Sequence, residues 1–396
     1  MSRRLRVMLV GPWPPTTGGV TTFMLNVVNS PLRERNDFLR FTTSRPPKKN
    51  VTNNYGYASV LRGGLRRVLL GAALTLWHLL VFPFAVLWRR ADIVQIQASD
   101  FQTFWEAALY VLMSRMLRRP VLMRLGGAFD HFYEVSSPRS RSLIRRVLRL
   151  PDRLIVQSSY WRDLVQRLGR TEGIVVLPNW VPDDLVVARR RPAGDIPTCL
   201  FVAGTEAVRK GVDDVFAAIR LVRDAGTPVR FRLLALPPSL LARLEAENFG
   251  GMVLAEGYVD HARMLSIMRE VDIFLLPSRG EGFPNSLIEA MASGAACLAT
   301  PVGAVPEILG DGSAALIPLR DPRALAEAVT RLACRPGLRS ALAAEGRAIV
   351  QSRYVASVVL PVLEATWLTL AGRARPQRPL DEAASAAAQP GQEQVP

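Results

Sequence analysis

The stretch Pro277-Ser-Arg-Gly-Glu-Gly-Phe-Pro-Asn-Ser-Leu-Ile-Glu-Ala-Met-Ala-Ser-Gly294 holds two carboxylates, Glu281 and Glu289, at one corner of the chain. The apolar run Asp272–Pro277 before it reads as a strand, and a helical pattern follows from about Asn285, with Asn285 or Ser286 as its cap. Glu281 then lies in the turn and Glu289 about one turn inside the helix. Free N–H groups and the dipole at a helix start favour an anion. Carboxylates accept paired hydrogen bonds from vicinal hydroxyls. Together these groups suit a nucleotide diphosphate joined to a sugar. The plainer alternative is an ordinary helix start carrying two solvated glutamates.

Other candidates follow strands. Phe201-Val-Ala-Gly-Thr-Glu-Ala-Val-Arg-Lys-Gly211 ends in Lys210, which shares the whole chain with only two other lysines, Lys48 and Lys49. Its compact ammonium suits a diphosphate. Arg209 beside it is either a second cation or plain surface charge. Gly18-Gly19 precedes a helix, Val20–Asn29, where backbone can approach a phosphate closely. Past the strand Val121–Leu125 come Gly126, Gly127, Asp130 and His131, contacts for a sugar or acceptor if the loop is more than a connection. Arg124, within that strand, either supplies a further cation or points into the sheet.

Short apolar strands alternating with helices position these groups. Leu5–Val10, Asp92–Gln97, Val121–Leu125, Arg153–Gln157 and Gly173–Leu177 form one series. Thr198–Ala203, Val229–Leu236, Met252–Glu256, Asp272–Pro277 and Ala295–Ala299 form a second. The fold expected is α/β, with two Rossmann-like, doubly wound lobes and an interlobe cleft. The divisions are 1–182 for an acceptor-side lobe, 183–197 for a Pro-, Asp- and Arg-rich linker and 198–355 for a donor-binding lobe. A C-terminal helix, 356–373, packs back on the first lobe, and 374–396 forms a disordered tail. A chain of 396 residues, 49% of them hydrophobic, is long enough for two cores.

The formal charge of +16 favours anionic partners, although an Arg-rich genome would produce much of it. Zinc-finger spacing, RNP-like aromatics and a long basic arm are missing, so nucleic acid is not an expected partner. Cys199, Cys297 and Cys334 are few and far apart, which fits buried thiols in a reducing compartment. The start of the chain lacks the pattern of a secretory signal, and a cytoplasmic setting is expected.

Glu281-Gly-Phe-Pro-Asn-Ser-Leu-Ile-Glu289 resembles the E-x7-E signature of retaining family 4 glycosyltransferases, and the run from Ala290 to the Pro306-Glu307 pair is similar to that family as well. Phe201–Gly211, Gly18-Gly19 and Val176-Leu-Pro-Asn-Trp-Val-Pro182 resemble its other motifs. The resemblance extends to about Leu370. It implies the GT-B fold and transfer of a sugar, with retention, from a nucleotide-diphosphate donor to a glycan or lipid-linked acceptor, as in surface polysaccharide or glycolipid synthesis. By the same resemblance Glu289 binds the donor ribose, Glu281 the transferred sugar and Lys210 the phosphates. Gly282, Phe283, Pro284 and Asn285 approach the sugar and diphosphate. Lys210 and Glu281 are then the catalytic pair. Thr205 stands where the family carries an arginine, and no histidine directly follows Val121–Leu125. A nucleotide-sugar epimerase sharing this architecture is one alternative, and a binding subunit that lost turnover, with these departures as its marks, is another. No D-x-D triplet or His/Cys cluster is present, so neither a metal nor another cofactor is expected.

Val68–Trp88 carries no formal charge and is flanked by Arg66-Arg67 and Arg89-Arg90. Its length suits a membrane span, yet crossing would separate strands of one sheet. A long, mostly buried helix is the first expectation. A peripheral element meeting an anionic membrane through 62–90 is the second.

Overall fold

The computed structural model describes residues 3–16, 18–44, 64–127, 129–186, 196–247, 249–310, 313 and 315–373; the side chains of 64–68 and of Thr205 are outside this description. The expected tail 374–396, most of the linker 183–197 and residues 62–63 also fall outside the described residues.

Unit 1 runs β1 (Leu5–Gly11), α1 (Gly19–Asn29), β2 (Asn36–Thr42), α2 (Gly64–Trp88), β3 (Ile93–Ala98), α3 (Phe101–Met116), β4 (Val121–Leu125), α4 (Phe129–Val135), α5 (Pro138–Leu148), β5 (Arg153–Val156), α6 (Ser159–Arg167) and β6 (Ile174–Val176). Its parallel sheet has the order β2-β1-β3-β4-β5-β6. The chain moves outward from β1 to β2, then returns past β1 to β3 and continues the other way. Right-handed crossovers in both directions put helices on both faces. Both faces of the central strands are therefore covered. Every residue of β3 is buried, including Gln95 and Gln97.

β2 escaped the sequence reading. Asn36-Asp-Phe-Leu-Arg-Phe-Thr42 carries Asp37 and Arg40, which an edge strand tolerates because one of its sides is open. The first expectation for Val68–Trp88 is also corrected. α2 is a helix, but only one face is buried: Phe82 and Val86 enter the core, and Phe41 meets the His78 ring edge-on at 6.2 Å. Leu79, Val81 and Ala85 flank that face half-buried, and Leu69, Leu76, Trp77, Leu80, Phe84, Leu87 and Trp88 are exposed. β1 and β3 pair with each other, in parallel, on either side of α2 in sequence. The helix therefore leaves and re-enters one sheet.

Unit 2 runs β7 (Thr198–Val202), α7 (Val212–Asp224), β8 (Arg230–Leu234), α8 (Pro238–Glu247), β9 (Val253–Ala255), α9 (His261–Met268), β10 (Ile273–Leu276), α10 (Asn285–Ala292), β11 (Ala296–Ala299), α11 (Val305–Leu309), α12 (Pro322–Cys334), α13 (Pro336–Arg353) and the first turn of α14 (Ala356–Leu370). Its parallel sheet has the order β11-β10-β7-β8-β9, so the direction of winding reverses between β7 and β10. In open α/β sheets that reversal leaves a crevice beyond the strand carboxyl ends, where ligands bind.

The units divide between Pro178 and Asn179, not within 183–197. Val181 and Leu185 are buried in the core of unit 2, so the described start of the expected linker belongs to that core. Val181 bridges Val355, and the Asp183 carboxylate accepts from Ser357 N at 3.1 Å. α14 begins there, and from Leu360 onward its residues belong to unit 1. Trp367 donates its indole N–H to Gln95 Oε1 at 2.7 Å, and Asn36 Nδ2 donates to Glu364 Oε1 at 3.1 Å. The helix thus completes the core of unit 1 on its β2 side.

Candidate functional site

Lys210 ends the loop after β7, and Glu281 lies in the loop after β10. These adjacent strands are the two at which unit 2 reverses its winding. Lys210 Nζ donates to Glu281 Oε1 at 2.7 Å, and Ser278 Oγ donates to the same oxygen at 2.7 Å. Arg209 Nη1 is 3.5 Å from Glu281 Oε2. The carboxylate is almost fully buried. Burial raises its pKa, but the charges of Lys210 and Arg209, with hydrogen bonds from Lys210 and Ser278, outweigh that and hold it below the ordinary value. Three N–H donors belong to a lysine ammonium, so Lys210 can hold Glu281 and still offer hydrogen to a phosphate.

Two glycines let these loops meet. Gly211 has a φ of +81°, and a Cβ there would lie 2.1 Å from the Pro277 carbonyl oxygen. Gly303, at φ +55°, would place a Cβ 1.9 Å from the carbonyl oxygen of Glu281. Further ties join the backbone: Arg279 N donates to Arg209 O at 2.7 Å, and Ala304 N donates to Gly282 O at 3.3 Å. The Lys-Gly step, the Glu281 turn and the Val-Gly turn after β11 therefore form one backbone assembly.

Arg209 is more committed than a spare phosphate cation. Its guanidinium contacts the Glu206 carboxylate, with Nε at 3.0 Å, and donates from Nη1 to the Gly280 carbonyl. Burial lowers its pKa, but Glu281 and Glu206 together raise it above the usual arginine value. It clamps the Glu281 loop. Thr205 sits in the short turn Gly204–Glu206, but its side chain is outside the described residues.

α10 begins as expected at Asn285, but neither Asn285 nor Ser286 caps it. Pro284 occupies the cap position, where no side chain can accept from the first turn. Asn285 Oδ1 instead accepts from Asn179 Nδ2 at 2.5 Å. Phe283 is buried edge-on against Tyr354, with ring centroids 5.5 Å apart. Glu289, one turn into the helix, is nearly buried, and its Oε1 lies 2.9 Å from His261 Nε2. The hydrogen bond to Glu289 raises the His261 pKa, burial opposes it, and the charges of Glu289 and Asp260 add to the rise. His261 was not among the sequence candidates. Its place directly after the helix-capping Asp260 was readable, but its approach to a glutamate in another helix was not.

The candidates of unit 1 gather at the carboxyl edge of its sheet. Gly18 is the cap residue of α1, again without a capping side chain. Gly126 N donates to Ala98 O at 2.9 Å, and a Cβ on Gly126 would lie 3.9 Å from Val20 Cγ2. The loops after β1, β3 and β4 therefore converge at α1, and Gly127 continues the β4 loop. Arg124 points inward: it is fully buried with its guanidinium 3.8 Å over the Phe23 ring, and burial lowers its pKa to about 9. Asp130 accepts from Tyr160 Oη at 3.2 Å and from His131 N at 2.8 Å. The His131 ring stands edge-on to Phe101 at 6.5 Å. Among the described residues no cluster of three or more His, Cys, Asp or Glu side chains has metal-binding geometry.

Residues 196–335 match a family model described as Glycosyl transferases group 1. The chain is similar to a putative colanic acid biosynthesis glycosyltransferase, WcaL, of Escherichia coli, with 28% identity over 48% of this chain and 49% of that protein. It is also similar to a phosphatidyl-myo-inositol mannosyltransferase of Mycobacterium leprae, with 30% identity over 50% of this chain and 54% of the relative. The chain spans about half the length of these curated relatives. Among solved structures, sucrose-phosphate synthase from Thermosynechococcus elongatus aligns with a TM-score of 0.68 and 19% identity, covering 97% of this chain and all of that one (100%). HepE from Anabaena, in complex with UDP, aligns with a TM-score of 0.65 and 16% identity, covering 93% and 100% of the two chains. The fold is GT-B, built from two parallel-sheet α/β units.

Proposed function

We propose that this chain is a retaining glycosyltransferase of the family 4 type. It moves a sugar from a nucleotide-diphosphate donor to a glycan or lipid-linked acceptor, in surface polysaccharide or glycolipid synthesis. The observation that carries this reading is the Lys210–Glu281 pair at the winding reversal of unit 2, next to a helix start without a capping side chain. The Glycosyl transferases group 1 match covers these residues, and the relatives named above are a putative glycosyltransferase of colanic acid biosynthesis and a phosphatidyl-myo-inositol mannosyltransferase.

In this reading the diphosphate meets Lys210, the first-turn amides of α10 and the backbone around Gly282 and Phe283. These groups stabilise the negative charge that grows as the sugar leaves, so no metal is needed. Glu281, ionised and oriented by Lys210 and Ser278, contacts the sugar. Glu289, oriented by His261, takes the ribose hydroxyls. The departing phosphate oxygen receives the acceptor proton. Gly18 and Gly19 offer backbone to the donor phosphates, and Gly126, Gly127, Asp130 and His131 serve the sugar or acceptor; Arg124, buried against Phe23, supports that loop from inside the core. The setting is the cytoplasm, where reduced thiols such as the buried Cys199 and Cys297 persist.

The test is calorimetric titration with UDP, GDP and ADP, followed by turnover of the corresponding donors with excess chelator present. Lys210→Ala or Glu289→Gln is expected to lower donor-dependent turnover by about one to three orders of magnitude. Unchanged kinetics would remove that residue from the site, and activity abolished by the chelator would overturn the metal-free mechanism. Release of free epimerised sugar without acceptor would make the protein an epimerase. Tight donor binding with no product from any acceptor would make it a binding subunit.

A further inference from the structure

α2 and α3 share one face of unit 1, and both turn apolar side chains outward. On α2 the exposed residues recur at helical spacing: Leu69, Leu76, Trp77, Leu80, Phe84, Leu87 and Trp88. Trp77 is 61% exposed, Phe84 74% and Trp88 83%, values far beyond the scattered apolar exposure of an ordinary surface. The opposite side of the same helix is fixed by Phe82 and Val86 in the core and by Thr75 Oγ1 donating to Glu106 Oε1 of α3 at 3.1 Å. On α3 the exposed Leu109, Leu112 and Met116 follow the same helical repeat.

Arginines follow the end of both helices. Arg90 and Arg118 adopt left-handed backbone, φ 51° and 52°, and close α2 and α3 respectively. Arg89 and Arg90 lead from α2 into β3, Arg118 and the half-buried Arg119 lead from α3 into β4, and Arg115 lies in the last turn of α3, so these arginines stand at the amino edge of the sheet. The Gly-rich loops after β1 and β4 occupy the carboxyl edge. A band of tryptophan, phenylalanine and leucine bordered by exposed arginine matches the acyl–headgroup boundary of a negatively charged bilayer.

We infer that the exposed face of α2 and α3, with the arginines at their ends, docks unit 1 in the plane of an anionic lipid membrane. The helix lies on the membrane without crossing it, because β1 and β3, on either side of α2 in sequence, pair directly. Trp77, Phe84 and Trp88 enter the boundary region, and Arg90 and Arg118 meet lipid phosphates. The carboxyl edge of the sheet stays clear. The inference rests on unit 1 alone and is independent of the donor reading in unit 2.

The test is sedimentation of the full chain with vesicles of phosphatidylcholine, with and without about one third phosphatidylglycerol. The wild type is expected to co-sediment with the anionic vesicles and to be released as salt rises. Two variants probe the two components: Trp77→Ser with Phe84→Ser and Trp88→Ser, and Arg90→Gln with Arg118→Gln. Each is expected to lower the partition coefficient about tenfold or more. All five positions are exposed, so unchanged circular dichroism and an unchanged urea-unfolding midpoint report an intact fold. Wild type left in the supernatant with anionic vesicles, or variants that bind like wild type, would overturn the inference. So would a wild-type dimer at sedimentation equilibrium that the apolar variant turns into a monomer while vesicles bind neither, since the occupant would then be a second copy of the chain.

Discussion

His261 Nε2 lies 2.9 Å from Glu289 Oε1 and ties the start of α9 to the interior of α10. The contact raises the histidine's pKa above 6.5. A group whose folded value is raised stabilises fully below its unfolded value and loses that contribution as pH climbs through the folded one. The stability gap between wild type and His261→Ala should therefore be largest below about pH 6.5 and close at higher pH. Urea unfolding at a series of pH values measures it. A gap that stays constant would show that the proton plays no part in the contact. Under the proposed function the same variant should also raise donor KM more than it lowers kcat.

Glu281 has the opposite sign. Its folded pKa is depressed, so its contribution is present above its unfolded value of 4.5 and is lost as pH falls through the folded value. Glu281→Gln should flatten the acid limb of the stability profile. It should also cost on the order of 1–3 kcal/mol at neutral pH, because Lys210 and Arg209 lose a buried anion. Adding Lys210→Met to that variant should recover part of the loss, and a double-mutant cycle by denaturant titration reads the coupling directly.

Gly211→Ala combines a left-handed φ with a Cβ directed into the Pro277 carbonyl. Gly226, at φ +64°, has nothing within 4 Å of the same imagined atom. Alanine at 226 should cost about 1 kcal/mol from backbone strain alone. At 211 the cost should be clearly larger, and nucleoside-diphosphate affinity should fall because Lys210 moves with its loop. Equal losses at both positions would mean that the close approach to Pro277 is unimportant.

Cys334 is exposed, whereas Cys199 and Cys297 are buried and their thiols are pushed well above the usual range by desolvation. Titration with a chromogenic disulfide should release one equivalent rapidly from the native protein. The other two should appear only on unfolding. Rapid release of more than one equivalent would contradict the packing of β7 and β11.

Much of unit 2 was legible because its signals are local. A strand ending in a Gly/Pro turn before Asn285 predicts a corner, and two glutamates there predict hydroxyl recognition. What the linear order conceals is pairing. Nothing in the sequence says that Glu281 would spend its charge on Lys210 and Arg209, more than sixty positions upstream, or that Asn285 would bond to Asn179 instead of capping its own helix. β2 was missed because Asp37 and Arg40 interrupt the apolar run that marks a buried strand. α2 was read as a mostly buried helix because an uncharged sequence does not distinguish a face turned towards a core from one turned outward. Only the register of Phe82 and Val86 against Trp77 and Phe84 separates the two.

The last helix also has a consequence for cutting the protein into pieces. Trp367 and Glu364 serve unit 1, but they follow all of unit 2 in the chain. A fragment stopped at Pro178 would lose the partners of Gln95 and Asn36 and open a hole behind its sheet. Arg373 Nη1, just past the end of α14, donates to the carbonyl oxygen of Arg3 at 2.7 Å. Moving the segment 360–373 ahead of residue 3 through a short tether would therefore join neighbours already in contact, a circular permutation that yields the first half as a self-sufficient folding unit.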